Sequence, residues 1–456
     1  MKKLLSILLI LAMLALPMLS ACGTPDKELD AIDKINLAMD SVSSYESYGE
    51  VDITAYVAGD KLELEGTYEQ VVSGNDGELY YYNKSIITTE YMGYSMEYYT
   101  LEAYNDGTYY YALGEDDSKR RFCSDITAEE FLSYITAGDS DDAPFEGYGS
   151  ISDIANPNGG RTVTLSDYDD SVLEDFNARF GLPVEEGGTE ITGFSAVINV
   201  TDGYLVNDIT MDFEFSDTAS NGKMTYTFFN YNVARVNSDR IMPSLFKKVP
   251  DARIIPMTER FLSDSKSSEY GAFSFNQKTD VFIRGVTSLK TENSYRITYM
   301  EADGYWFEMN VAVEDETHQH VYRKGVYTVD GEPDTDTDMD DQAAKRLIGG
   351  FIDPFSFNQM SVLDIAETKG ENDRLAYKIY LVESRTLIAE TMNAIYGEMG
   401  GYCTSANMYI EVVADGYEIM SVTYYITSCG RIAVNRQTFE VDVELAVTTD
   451  FSENNR

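Results

Sequence analysis

Histidine is nearly missing from this chain: His318 and His320 are the only two among 456 residues. A dispersed Ser/His/Asp site therefore has almost nothing to choose its general base from. Cysteine is scarce too, with Cys22, Cys123, Cys403 and Cys429 the whole supply, too few for a disulfide-built scaffold. Basic residues number 34 against 78 acidic ones, a formal net charge of −44, and so acidic a chain is repelled by nucleic acid and by anionic lipid headgroups. No GxSxG, CxxC, HExxH, Walker or dinucleotide glycine pattern occurs, and after Met18 no apolar run is long enough to span a bilayer. These absences point to a non-enzymatic chain with no cofactor and no nucleic-acid partner.

What is present begins with an export signal: Lys2 and Lys3, an apolar run from Leu4 to Met18, then small residues ahead of Cys22. Leu19-Ser20-Ala21-Cys22 resembles the lipobox of bacterial lipoproteins, an aliphatic residue and two small ones before a cysteine. The resemblance implies that residues 1–21 are removed, that Cys22 is acylated with palmitate-type chains, and that residues 22–27 are a tether. It also implies a cell-membrane location on the extracytoplasmic face, held by lipid alone. Two or more acyl chains anchor stably where one does not.

Beyond the tether, Leu29, Ile32, Ile35, Met39 and Val42 fall on one helical stripe and predict a helix over 28–43. From Gly49 the period changes to two, with Val51, Ile53 and Ala55 alternating against Asp52 and Thr54, and Tyr-rich strands continue to about residue 113. Short helices are predicted near 127–135 and 170–180, then three closing strands. Pro243, Pro250 and Pro256 punctuate a stretch with neither period. After it the order returns: strands at 270–277, 279–286, 293–300, 305–313 and 321–329, helices near 342–350 and 383–396, and strands at 407–414, 417–427 and 432–447. Ser152-Asp153-Ile154-Ala155 recurs as Leu363-Asp364-Ile365-Ala366, Asp202-Gly203-Tyr204 as Asp415-Gly416-Tyr417, and the helix-ending Gly181 as Gly397, at nearly constant offset. The expectation is a duplicated domain, 28–245 and 259–456 joined by a linker at 246–258, with 257–265 at best a short turn.

The element order resembles the lipoprotein-carrier fold of Lol-type carriers and of the lipid-carrying lipoproteins of actinobacteria. It implies an α+β chain: two tandem repeats of a strongly curved antiparallel β-sheet, a half-barrel, with short helices packed on its concave face. The resemblance implies a membrane-anchored protein that binds or carries an apolar ligand, a lipid or a lipidated protein. The alternative is a structural or interaction lipoprotein that meets an envelope protein or glycan through Tyr-rich sheet faces.

Smaller constellations complete the reading. A hairpin centred on Gly416 sets Cys403 opposite Cys429 and predicts a bridge between them, while a one-residue change of register leaves both thiols free. His318 and His320, with Glu314 or Glu316, have the alternation of a metal site on a strand, and equally that of a solvated hairpin tip, which is preferred. Asp334, Asp336 and Asp338 mimic the opening of a calcium loop, but Met339 and Lys345 stand where glycine and glutamate belong, so a solvated acidic loop is expected.

Overall fold

The computed structural model describes residues 30–57, 60–74, 79–115, 118–136, 148–169, 173, 189–234, 237–268, 270–284, 287–301, 304–313, 316–334, 337, 339–369, 375–381, 392, 395–397, 399, 401–415, 418–434 and 437–452. The expected signal, the lipobox-like segment with Cys22, the expected tether and most of the helices expected at 170–180 and 383–396 lie outside them. The protein is mostly β, and it divides into two compact units between Lys248 and Val249.

Unit 1 runs α1 (Ala31–Asp40), β1 (Ser44–Val57), β2 (Asp60–Ser73), β3 (Tyr80–Tyr91), β4 (Tyr94–Asn105), β5 (Thr108–Glu115), β6 (Ser118–Asp125) and α2 (Ala128–Thr136). Then come β7 (Tyr148–Ala155), β8 (Arg161–Tyr168), β9 (Ile191–Val200), β10 (Val206–Phe215), β11 (Asn221–Phe229) and β12 (Lys247–Lys248). One sheet holds all twelve strands in the order β12-β6-β5-β4-β3-β2-β1-β11-β10-β9-β8-β7, antiparallel except for the β12–β6 pair. The period-two stretch behaves as its pattern demands, since Val51, Ile53 and Ala55 are buried while Asp52 is exposed. α1 starts with a reciprocal cap: Asp33 N–H donates to Asp30 Oδ1 at 2.9 Å and Asp30 N–H to Asp33 Oδ2 at 3.3 Å. It buries Ile32 and Ile35 in a hydrophobic cluster with Val51, Ile53, Leu64, Ile209, Met211 and Phe213.

The described residues between Tyr231 and Lys248 cross the other face of the same sheet. Ala234 and Ile241 cluster with Val71, Tyr80, Tyr82, Leu101 and Tyr110, and the Tyr80 hydroxyl donates to the Asn237 carbonyl at 3.0 Å. Phe246 meets Tyr110 edge to face at 5.1 Å, and Lys247 and Lys248 pair with Phe122 and Cys123. Residues 246–248, expected in a linker, therefore belong to unit 1, and Lys247 and Lys248 pair with part of the outer side of β6, which would otherwise be an open edge.

Unit 2 opens with α3 (Ile254–Ser267) and continues β13 (Tyr270–Ile283), β14 (Thr287–Glu301), β15 (Tyr305–Val313), β16 (Glu316–Arg323), β17 (Val326–Val329), β18 (Glu332–Pro333) and α4 (Asp341–Ile352). It closes with β19 (Val362–Lys369), β20 (Leu375–Leu381), β21 (Gly401–Asp415), β22 (Glu418–Val434) and β23 (Gln437–Asp450), in the order β18-β17-β16-β15-β14-β13-β23-β22-β21-β20-β19. α3 corrects the expectation of a mere turn. Pro256 is its third residue, in the first turn where a missing N–H costs nothing, and the helix buries Ile254, Ile255, Met257 and Leu262. The strands expected separately at 270–277 and 279–286 are one, β13, and the single strand expected at 432–447 is divided, because Val434 pairs with Gln437.

Candidate ligand site on the helix-bearing face of unit 1

Alternation and register decide which side chains share the face that carries α1 and α2. From β1 to β5 one row across the strands reads Ser47, Gln70, Asn83, Glu102, Tyr111. The next reads Gly49, Tyr68, Ser85, Thr100, Leu113. The polar members are inside: Gln70 is 4% exposed, Asn83 8%, Ser85 5%, Thr100 8% and Glu102 3%, and Thr89, further along β3 on the same face, is 2% exposed. Buried polar groups need partners, and several have them. The Tyr109 hydroxyl donates to Glu102 Oε1 at 2.6 Å, the Ser85 and Thr100 hydroxyls bond to each other, and the Tyr45 hydroxyl donates to Gln70 Oε1 at 3.3 Å. Burial first and the neighbouring Glu102 second push the Tyr109 phenol well above its ordinary range.

α2 covers one end of these rows. Its cap is reciprocal, Thr127 N–H donating to Glu130 Oε2 at 2.7 Å and Glu130 N–H to Thr127 Oγ1 at 3.1 Å. Phe131 stacks on Tyr104 at 4.7 Å and lies 5.4 Å from Tyr81, and Tyr134 meets Tyr109 at 5.8 Å. At the other side the rows run into the α1 cluster, where the Tyr226 ring lies 5.9 Å from Tyr68. Only glycine fits beneath that ring: a Cβ on Gly49 would sit 2.6 Å from it. Among the described residues, the hydroxyls of Tyr226 and Thr89 on this face are buried without a hydrogen-bond partner. Burial raises the Tyr226 phenol far above its usual range, so it stays protonated and able to donate.

Unit 2 fills the corresponding face of its first strands differently. One row across β13, β14 and β15 places Phe273, Ile297 and Met309 together and ends on β16 in the half-buried His320, and one across β14, β15 and β16 places Tyr299, Phe307 and Tyr322 together; the six apolar members are buried. Phe351 of α4 packs edge-on to Phe275 at 4.8 Å. Across β13, β14 and β15 the described buried side chains are apolar or aromatic, whereas β2, β3 and β4 of unit 1 bury the polar rows.

The other residues singled out in the sequence are placed as follows. Cys22 lies outside the described residues. The Cys403–Cys429 bridge is corrected: Cys403 pairs with Gly430 and Cys429 with Ser405, a bulge lies between Cys403 and Ser405, and no disulfide joins the two. Asp415 pairs with Glu418, one residue off a register centred on Gly416, and a one-residue slip turns a side chain to the other face. Cys429 is exposed, and a hydrogen bond to Asp442 raises its thiol pKa, while burial raises that of Cys403. Both thiols should therefore alkylate in native, unreduced protein, slowly at neutral pH and faster as pH rises. A Cys403–Cys429 peptide in non-reducing mapping contradicts this.

His318 Nδ1 sits 2.8 Å from Asp330 Oδ2, and His320 Nδ1 sits 2.6 Å from the Tyr327 hydroxyl, with burial lowering the His320 pKa. Glu314 lies outside the described residues, as do Asp336 and Asp338, and among the described residues no group of three His, Cys, Asp or Glu is placed to hold a metal. Asp334 accepts from the Thr337 hydroxyl at 2.8 Å. On the outer face of unit 2, Tyr380, Tyr409 and Tyr425 line up across β20, β21 and β22. Tyr409 and Tyr425 are 4.8 Å apart with planes 18° off parallel, and Lys378 lies 3.5 Å over the Tyr409 ring. Rings that close and parallel stand on edge and cover each other's faces, so they offer no flat platform to a sugar ring.

No family model matches this chain, and no curated protein matches it. Among solved structures it is similar to a DUF1329 family protein from Desulfovibrio piger, at 10% identity over 47% of this chain and 95% of that one, with a TM-score of 0.16. A DUF3598 family protein of unknown function from Nostoc punctiforme shares 7% identity over 93% of this chain and 100% of that one, with a TM-score of 0.13. Kievitone hydratase from Nectria haematococca shares 9% over 90% and 89%, with a TM-score of 0.12. At these values the similarities carry no argument about this protein.

Proposed function

We propose that this chain is a lipid-anchored, extracytoplasmic binding protein whose first unit holds an amphiphile, a lipid or the acylated end of a lipoprotein, on its helix-bearing face. The observation that carries the reading is the meeting, on that one face, of a hydrophobic cluster around α1 and rows of buried polar side chains on β2, β3 and β4. An acyl tail and a polar head need such neighbours, and a core that only had to fold would fill those rows with apolar side chains, as unit 2 does. The apolar ligand expected from the sequence, a lipid or a lipidated protein, is thereby read as one whose polar head is held as well as its tail.

In this reading the two units descend from a duplication and curve as half-barrels. Their strand orders support it, β18 to β13 followed by β23 to β19 matching β6 to β1 followed by β11 to β7. The repeated signposts fall on matching elements too: Ile154 in β7 and Ile365 in β19, Asp202 between β9 and β10, and Asp415 at the end of β21 before β22. Divergence left the polar rows to unit 1 alone.

The test is native mass spectrometry of chain extracted from its own membrane, followed by uptake of an uncharged fluorescent diacylglycerol by delipidated protein lacking residues 1–22. One co-purifying lipid per chain and saturable uptake are expected. Uptake that never saturates, with no lipid bound after extraction, overturns the reading.

A further inference from the structure

We infer that the buried polar rows of unit 1 select an uncharged, hydroxyl-bearing headgroup, that of a glycosyl lipid, over phosphate-bearing or cationic ones. The inference rests on the amphiphile reading above and adds the class of its head. Among the described buried residues of unit 1 there is no Lys, Arg or His, and Glu102 is the one acid. A phosphate carried to this face would be stripped of water beside the Glu102 carboxyl group, and the cation in register with these rows, half-buried Arg120 on β6, closes the row through Leu113 two strands away from Thr100. Asn83, Ser85 and Thr100 instead supply neutral hydrogen-bonding groups, and a sugar hydroxyl both donates and accepts.

Two groups point to a ligand independently of the rest. Tyr226 Oη and Thr89 Oγ1 are buried hydroxyls without a partner among the described residues, a cost that a folded protein rarely leaves standing. Each would be satisfied by a hydroxylated ligand. Ser85 and Thr89 are four residues apart on one strand, about 13 Å, so a head that reaches both is extended and carries several hydroxyls, as a disaccharide does. Among the described buried residues, β13, β14 and β15 of unit 2 carry no polar side chain of this kind, so a sheet of this build does not require them.

The experiment compares decyl maltoside, decyl phosphate and decyl trimethylammonium, three heads on one tail, binding below their micelle concentrations to the delipidated chain. Decyl maltoside should bind tightest. Tyr226→Phe and Thr89→Val, which remove a hydroxyl and nothing else of size, should each weaken it about two- to tenfold and leave the ranking of the other two heads unchanged. Neither variant should lower the melting temperature of ligand-free protein, because neither hydroxyl holds the fold together. Equal affinity for all three heads, preference for either charged head, or undiminished maltoside binding by both variants overturns the inference. If the uncharged diacylglycerol is still taken up in that case, the amphiphile reading stands and the headgroup assignment alone falls.

Discussion

Replacing Phe131 with alanine should cost unit 1 about 3–5 kcal/mol of stability, the range for deleting a fully buried phenyl ring. Phe131 is 0% exposed and packs on Tyr104, Tyr81, Tyr109 and Tyr134, at ring distances of 4.7, 5.4, 6.1 and 6.4 Å. α2 has nine residues, too few to persist on its own, so this packing and the Thr127–Glu130 cap are what hold it on the sheet. Losing the ring opens a cavity beside Tyr109 and the buried Glu102, where water would enter. Trp306, the single tryptophan, lies on β15, so its emission follows unit 2 while far-UV circular dichroism follows both units. Urea titrations read by both signals should show the loss in the far-UV transition. A loss below about 1 kcal/mol would mean that the tyrosines close over the gap and that α2 is not held by this ring.

How much of this was legible depends on whether a pattern was local. The α1 stripe and the alternation of β1 were, because one apolar face at period 3.6 or 2 has few other solutions. So was the predominance of strands, and Ile154 and Ile365 do lie on strands, β7 and β19. α3 was not legible, because three prolines in fourteen residues read as a break, and only the position of Pro256 in the first turn reconciles it with a helix. The register of β21 against β22 was equally hidden. Bulges near Ala414 and Cys403 depend on the pairing of whole strands and leave no mark on a hairpin sequence.

The polar rows were hidden by the rule that usually works. On β3, Tyr80 and Tyr82 alternate with Tyr81, Asn83 and Ser85, and polar residues at period two read as a solvated face. Here both faces are covered, Tyr80 and Tyr82 by the segment around Ala234 and Ile241, and Asn83 and Ser85 on the side that bears the helices. That covering segment lies more than 150 residues further along the chain, in the stretch whose prolines had marked it as a boundary. Nothing within β3 could announce it.

Cys22→Ala should move the whole protein from the membrane pellet to the soluble fraction, or leave its precursor uncut, the largest change a single substitution can make here. The resemblance of Leu19-Ser20-Ala21-Cys22 to a lipobox motivates it, and a thiol is the group that the proposed acylation needs. Each buried methylene of an acyl chain contributes about 0.8 kcal/mol, so two or three chains hold a protein on a bilayer essentially permanently. Among the described residues no helix offers a substitute. At a net charge of −44 the chain is repelled by anionic headgroups, and among the described residues no helix is long and apolar enough to cross a membrane. Metabolic labelling with an alkyne analogue of palmitate separates the outcomes, since the wild type should carry the label and the variant should not. Unchanged processing, labelling and pelleting in the Cys22→Ala variant would refute the anchor. The binding face of unit 1 would then have to be explained in a protein that reaches its ligand by diffusion.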